Sequence, residues 1–258
     1  MRFLSLRLCL AAALSCATAA AMAENPFAGT WKVDYSKSHV TGQTVSFTSE
    51  AGEKVRFTYP GGSYTFIVDG SDSTNYVGET VQWKQIDDHT WKELTKEGSI
   101  VVTHTWTLST DGSTLTAAAS GTRPSGQQID GKETFTRIDP GKGFFGKWKS
   151  TKYEDNSPTT SQIDANGDNG IVWHIPEIKA SVNLSFDGKE AAPTGPTIVD
   201  GLTLSATKIG PRSFELTEKV KGKVIFQGRY TVSADGNTMT EVGGAPGATP
   251  VKVVLQKS

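Results

Sequence analysis

Cysteine is almost absent from this chain. The 258 residues hold two, Cys9 and Cys16, and both fall within the first 23 positions. Beyond them there is no disulfide, no thiol nucleophile and no cysteine-based metal site. An excess of positive charge is absent too: 26 Lys and Arg stand against 27 Asp and Glu. Basic and acidic residues are interspersed along the chain, so nothing forms the electrostatic footprint of a nucleic-acid or anionic-membrane binder. After the first 23 residues no second long apolar run occurs, and no stretch of ten or more residues keeps a 3.6-residue apolar period. There is no G-x-S-x-G elbow. Adjacent carboxylates such as Asp87-Asp88 and Glu154-Asp155 point to opposite faces of any strand that carries them, so such a pair does not jointly flank a bond.

The opening segment reads as an export signal. Arg2 and Arg7 precede a Leu- and Ala-rich run, and Ala21-Met22-Ala23 is a small-x-small cleavage site. The expected mature chain starts at Glu24 and is periplasmic or secreted. It keeps 24 basic and 27 acidic residues, because two arginines leave with the signal. Cys16 follows Ala13-Leu14-Ser15, a loose version of a bacterial lipidation site; lipidation there is the alternative to simple cleavage.

What the chain does have is repetition. FAGTWK at residues 27–32 returns as FFGKWK at 144–149. WTLSTDGSTLT from Trp106 is echoed by YTVSADGNTMT from Tyr230, and Trp91-Lys92-Glu93-Leu94-Thr95 by Phe214-Glu215-Leu216-Thr217. A repeat this long implies two domains rather than a solenoid. The turn-rich Asp139-Pro140-Gly141-Lys142-Gly143 places the expected boundary, giving domains 24–140 and 141–258.

Both halves are written with a period of two. Ile100, Val102, His104, Trp106 and Leu108 share one face, and Val101, Thr103, Thr105 and Thr107 the other; Val224, Phe226, Gly228, Tyr230 and Val232 repeat the pattern. Threonine and β-branched residues suit a half-buried sheet. Asp-Gly pairs at 69, 111, 130, 187, 200 and 235 suit hairpin turns. The expected fold is all-β: two tandem antiparallel up-and-down barrels of about eight or nine strands each. Closure removes the exposed edges that an open sheet would present.

Phe-x-Gly-x-Trp-Lys at the head of a small all-β domain resembles the start of the calycins, the lipocalin and fatty-acid-binding-protein group. The longer text, GTWK, VDG, ELT and S-x-DG-x-T-L/M-T, is similar to secreted bacterial lipocalin-like proteins of unassigned function. The resemblance implies that Gly29 and Trp31 open and plug the first barrel, and Gly146 and Trp148 the second. It also implies an arginine on the last strand, packed on that tryptophan by a cation–π contact. Arg137 suits the first half, whereas the second half places Gln256 there. The Arg-x-Tyr carboxylate clamp of the fatty-acid-binding proteins is missing from both halves.

Three local signals have plainer readings. Gly141–Lys147 spells G-x-x-x-x-G-K, but Trp148 follows where a phosphate loop needs Ser or Thr, and the segment leads into a strand. Asp164–Gly170 has calcium-loop oxygens, but its glycine is one place late and Ile175 stands where a bidentate Glu belongs. It reads as a hairpin tip. His39, His89, His104 and His174 have no zinc-binding spacing. No metal and no cofactor is expected.

The expected function is non-catalytic binding of a small hydrophobic or amphipathic molecule in one or both barrels. Candidate lining residues are Trp83, His104 and Trp106 in the first half, and Trp173, Phe226 and Tyr230 in the second. An inward His104 needs a partner, and Gly228 at the matching place leaves the second interior more room. The alternative is a protein partner contacted by the loops of filled barrels.

Overall fold

The computed structural model describes residues 25–258. The expected export signal, with Cys9 and Cys16, lies outside the described residues. Twenty strands form two ten-stranded antiparallel sheets, each rolled into a nearly closed barrel. The expectation of all-β barrels holds, with ten strands each rather than eight or nine. The architecture fits a calycin-like fold. Among the described residues the only helical pieces are short 3-10 turns at Gly167–Asn169 and Pro176–Ile178, and no helix is long and apolar enough to cross a membrane.

One barrel uses β2 (Thr44–Ser49), β3 (Val55–Tyr59), β4 (Gly62–Phe66), β5 (Asp69–Thr74), β6 (Thr80–Asp87), β7 (Thr90–Glu97), β8 (Ile100–Leu108), β9 (Thr114–Thr122), β10 (Gln128–Arg137) and β11 (Gly146–Asp155). Each strand follows its neighbour in the chain, and β11 closes the ring on β2. The other barrel uses β1 (Gly29–Val33), then β12 (Thr160–Ala165), β13 (Gly170–Ile175), β14 (Ala180–Ser185), β15 (Asp187–Ala191), β16 (Leu202–Gly210), β17 (Ser213–Val220), β18 (Lys223–Val232), β19 (Thr238–Gly244) and β20 (Val251–Lys257). Here β1 closes the ring between β12 and β20. Both rings are interrupted at the same place, where β4 and β5, or β14 and β15, share no ladder.

The barrels have therefore exchanged their opening strands. Trp31 belongs to the core of the second barrel and Trp148 to that of the first. This corrects the expected division at Pro140-Gly141. Residues 138–145 are the turn between β10 and β11 inside the first barrel, tied by Ile138 N–H to Lys147 O and Phe145 N–H to Lys142 O. The chain crosses between barrels twice, at 34–43 and at 156–159. The first crossing packs on the end of β11: Tyr35 Oη donates to Asp155 Oδ2 at 3.1 Å, and the Tyr35 and Tyr153 rings lie 5.2 Å apart.

Three of the six motif positions, the phenylalanine, the glycine and the tryptophan, have a physical reason. Trp31 Nε1 donates to Phe27 O at 2.8 Å, and Trp148 Nε1 to Phe144 O at 2.9 Å. Both indoles are fully buried, and each finds its acceptor four residues back in its own motif. The glycines have positive φ, +137° at Gly29 and +126° at Gly146. A Cβ at Gly146 would strike Asp139 Oδ1 and Arg137 Nη1; one at Gly29 would strike Lys257 Cε. Glycine is required because a cationic side chain passes over its Cα on the way to the tryptophan face. Arg137 Cζ sits 4.1 Å from the Trp148 ring, and Lys257 Nζ 5.4 Å from that of Trp31. So Arg137 packs on Trp148, not Trp31, and the second cation is Lys257 rather than Gln256. Register fixes this: Trp31 pairs directly with Lys257, as Trp148 does with Arg137.

The alternation read from the sequence sets the two interiors. In β8, Ile100, Val102, Trp106 and Leu108 are buried, while Val101 and Thr107 are exposed. In β18, Gly228, Tyr230 and Val232 are buried. Not every Asp-Gly pair makes a turn: Gly131 lies inside β10, paired with Ala119 and Asp155.

Candidate functional site: the cavity of the second barrel

Ladder register matches each inward residue of one barrel to its counterpart in the other. The first barrel buries ten aromatic side chains in its core cluster and the second buries six. That difference decides where space is left. Phe47 corresponds to Ile163, Tyr64 to Val182, Phe66 to Leu184 and Trp83 to Ala206. Each exchange replaces an aromatic by a smaller aliphatic side chain.

The first barrel is packed around Trp83, which is 0% exposed and stacked on Phe66 at 4.5 Å. Its polar interior is organised by Glu93, which accepts from Trp106 Nε1 at 3.0 Å, Tyr64 Oη at 3.3 Å and Thr95 Oγ1 at 3.4 Å. Trp83 Nε1 in turn donates to Tyr64 Oη at 3.0 Å. His104 Nδ1 lies 3.6 Å from Glu93 Oε2, across the β7–β8 ladder, and makes no hydrogen bond. The space remaining is about 300 Å³ beside Tyr59, Trp106, Glu133 and Tyr153. Burial there pushes the Glu133 carboxyl up to about 7.

The second barrel encloses a cavity of about 400 Å³, within the usual size of small-molecule sites. Strands β13, β16, β17, β18 and β20 supply Trp173, Leu204, Leu216, Phe226, Tyr230 and Leu255 to its wall. The Tyr230 ring is held rigidly, stacked on Phe214 at 4.9 Å and edge-on to Trp173 at 5.3 Å. At the positions of Glu93 and His104 stand Leu216 and Gly228, which pair with each other. The first barrel's central polar pair is therefore replaced by aliphatic surface and glycine. Gly228 does not itself open the cavity as expected. The Phe226 ring occupies its side-chain space, and a Cβ at Gly228 would meet that ring at 2.7 Å.

The second barrel's own polar groups sit elsewhere on the wall. Glu218, on β17, and Glu241, on β19, both line the cavity together with the Tyr230 hydroxyl. Glu218 is pushed up to about 7, first by burial and then by the neighbouring Glu241 charge. Glu241 is raised by burial, with a bond from Tyr230 acting in the opposite direction. Tyr230 is raised by burial and by both carboxylates. Neither glutamate is in an ion pair among the described residues. Trp173, 9% exposed, has a buried Nε1 with no acceptor among the described residues.

Of the six candidate lining residues, Trp173, Phe226 and Tyr230 meet in this cavity. Trp106 borders the smaller space of the first barrel. Trp83 is closed into the core, and His104 faces Glu93. Tyr64, Glu93, Glu218 and Glu241 escaped the sequence reading. The repeated Glu-Leu-Thr text obscured the two strand-borne acids. Aligned by their ladders, Trp91 matches Phe214, so Glu93 matches Leu216 and Thr95 matches Glu218. The glutamate of the echoed text, Glu215, points outward to Arg229 at 2.9 Å. The alternation of β17 carried the signal: Phe214, Leu216 and Glu218 share one face.

The remaining motifs have structural roles. Asp164–Gly170 forms the β12–β13 tip around the Gly167–Asn169 turn, where Asn166 Nδ2 bonds Asn183 Oδ1 at 2.7 Å. Gly141 and Gly143 belong to the loop whose carbonyls receive Arg137. A larger hollow of about 810 Å³ lies among the loops at 109–113 and 138–143. Its guanidinium is already spent on Gly112 O, Gly143 O and Phe145 O. Among the described residues no three His, Cys, Asp or Glu side chains group to hold a metal ion. No protein-family model matches this chain, and no curated protein matches it.

Proposed function

We propose that the protein is an exported, non-catalytic binding protein of lipocalin-like kind, and that the second barrel holds a small apolar or amphipathic molecule. The observation that carries this reading is the asymmetry of two otherwise matching interiors. Where one barrel has Tyr64, Trp83 and the Glu93 network and keeps about 300 Å³, the other has Val182, Ala206 and Leu216 and keeps a more apolar cavity of about 400 Å³. Apolar walls supply affinity by area removed from water, and a few polar groups supply orientation.

An apolar fluorescent probe, N-phenylnaphthylamine, tests the reading. Leu204 is a partly buried wall residue, so Leu204→Trp fills space without cutting into the closed end of the core. The wild type is expected to bind the probe with enhanced emission, and Leu204→Trp to lose most of that binding while keeping its fold by circular dichroism. Equal binding by both proteins would place the probe elsewhere and remove the support for this cavity.

A further inference from the structure

We propose that the ligand of the second barrel is a cationic amphiphile, with an ammonium group between Glu218 and Glu241 and an apolar body against Trp173, Leu204 and Phe226. The inference rests on the cavity reading above and names the chemistry that the cavity selects.

The geometry supplies the argument. Two carboxylates from strands on either side of β18 face one apolar cavity, and no lysine, arginine or histidine lines it. An ionised carboxylate only accepts hydrogen bonds, and the Tyr230 hydroxyl lines the same wall and acts on Glu241. Glu218 is left without a partner. An empty site must neutralise such groups or hydrate them. An ammonium group carries up to three donors and one positive charge, which answers both carboxylates at once. A carboxylate or phosphate head would bring a like charge against them. The orphan Nε1 of Trp173 on the same wall is an independent sign that the cavity expects a polar guest. It is satisfied by one acceptor on the ligand, an ether or hydroxyl oxygen, which a plain hydrocarbon lacks. The first barrel offers no such site: its central acid, Glu93, already accepts from three neighbours.

The titratable groups around the ammonium are Glu218 from β17, Tyr230 from β18 and Glu241 from β19, with Tyr76, from the β5–β6 turn, close enough to feel the Glu218 charge. Because burial holds the empty site partly protonated near neutrality, binding a cation releases protons and strengthens as pH rises from 5 to 8.

Calorimetric titration with three probes of equal chain length, decylamine, decanol and decanoate, tests the proposal on the mature protein. Decylamine is expected to bind about tenfold or more tighter than decanol at pH 8, decanoate to bind weakest, and the decylamine advantage to shrink at pH 5. In a Glu218→Gln/Glu241→Gln variant, decylamine is expected to fall to the affinity that decanol has for the same variant. Decanol and decylamine binding equally to the wild type would overturn the ammonium site while leaving the cavity reading intact. Decanoate binding tightest would overturn it as well. Failure of all three to bind would overturn both readings.

Discussion

At the scale of single residues, burial and pairing decide what each acidic side chain does. Glu93 is an acceptor for three donors in a water-poor core, so removing it leaves Trp106 Nε1, Tyr64 Oη and Thr95 Oγ1 unsatisfied together. Glu93→Ala is expected to cost about 2–4 kcal/mol and Glu93→Gln less, since the amide keeps one acceptor oxygen. A urea titration followed by near-ultraviolet circular dichroism reads this well, because four of the six tryptophans lie in the first barrel's core. Glu133 and Glu218 have the opposite character. Their folded pKa values, each about 7, lie above the ordinary glutamate value of 4.5. Between those values the unfolded chain has lost protons that the folded chain keeps, so stability falls as pH rises from about 4.5 to 7. Below that window Asp111, held down to about 2 by Ser109 and Ser113, works in the other direction. The ligand-free protein is therefore expected to melt higher at pH 5 than at pH 8. Glu218→Gln should flatten that slope, and a melting temperature rising steadily from pH 5 to 8 would contradict the placement of these acids.

At the scale of elements, the opening strands are the informative ones. Each carries a plugging tryptophan into the barrel built by the other half of the chain. Trp31→Ala is expected to speed amide hydrogen exchange in β12 and β20 and to leave β2 and β10 protected. Trp148→Ala should do the reverse. Barrels that kept their own first strands would show the opposite assignment. The two cation–tryptophan contacts differ in strength. Arg137 adds three bonds to carbonyls, whereas Lys257 contributes a longer contact through one ammonium. Arg137→Ala should cost about 2–3 kcal/mol, and Lys257→Ala under about 1. The sequence shows clearly which residues make strands and which face of β8 and β18 turns inward, and the family resemblance adds that a cation packs beside the Gly-x-Trp tryptophan. It does not show which barrel receives each opening strand. β1 and β11 are nearly identical in text, so either barrel accepts either strand by local pattern. The arrangement seen is held by contacts outside the repeated text: the 34–43 crossing is bonded to β20 through His39 and Lys252 and packs on the end of β11 through Tyr35 and Asp155.

At the scale of the molecule, two barrels with one strand plan have different interiors, and that difference is the basis of the functional reading. Part of it was readable: His104 against Gly228, and Trp106 against Tyr230, are visible by eye. Most of it was not. The exchanges that make the cavity, Tyr64 to Val182 and Trp83 to Ala206, sit in strands whose text does not align, and Glu218 is hidden by a one-residue shift in the Glu-Leu-Thr echo. The double crossing also replaces the single swinging linker that a tandem division would give. The most direct test of the central claim is native mass spectrometry of mature protein purified from exported material without detergent, alongside its Leu204→Trp variant. The account predicts an added mass of one small molecule on the wild type, lost on denaturation and missing from the variant. An added mass retained by the variant, or a wild type that carries none, would contradict it.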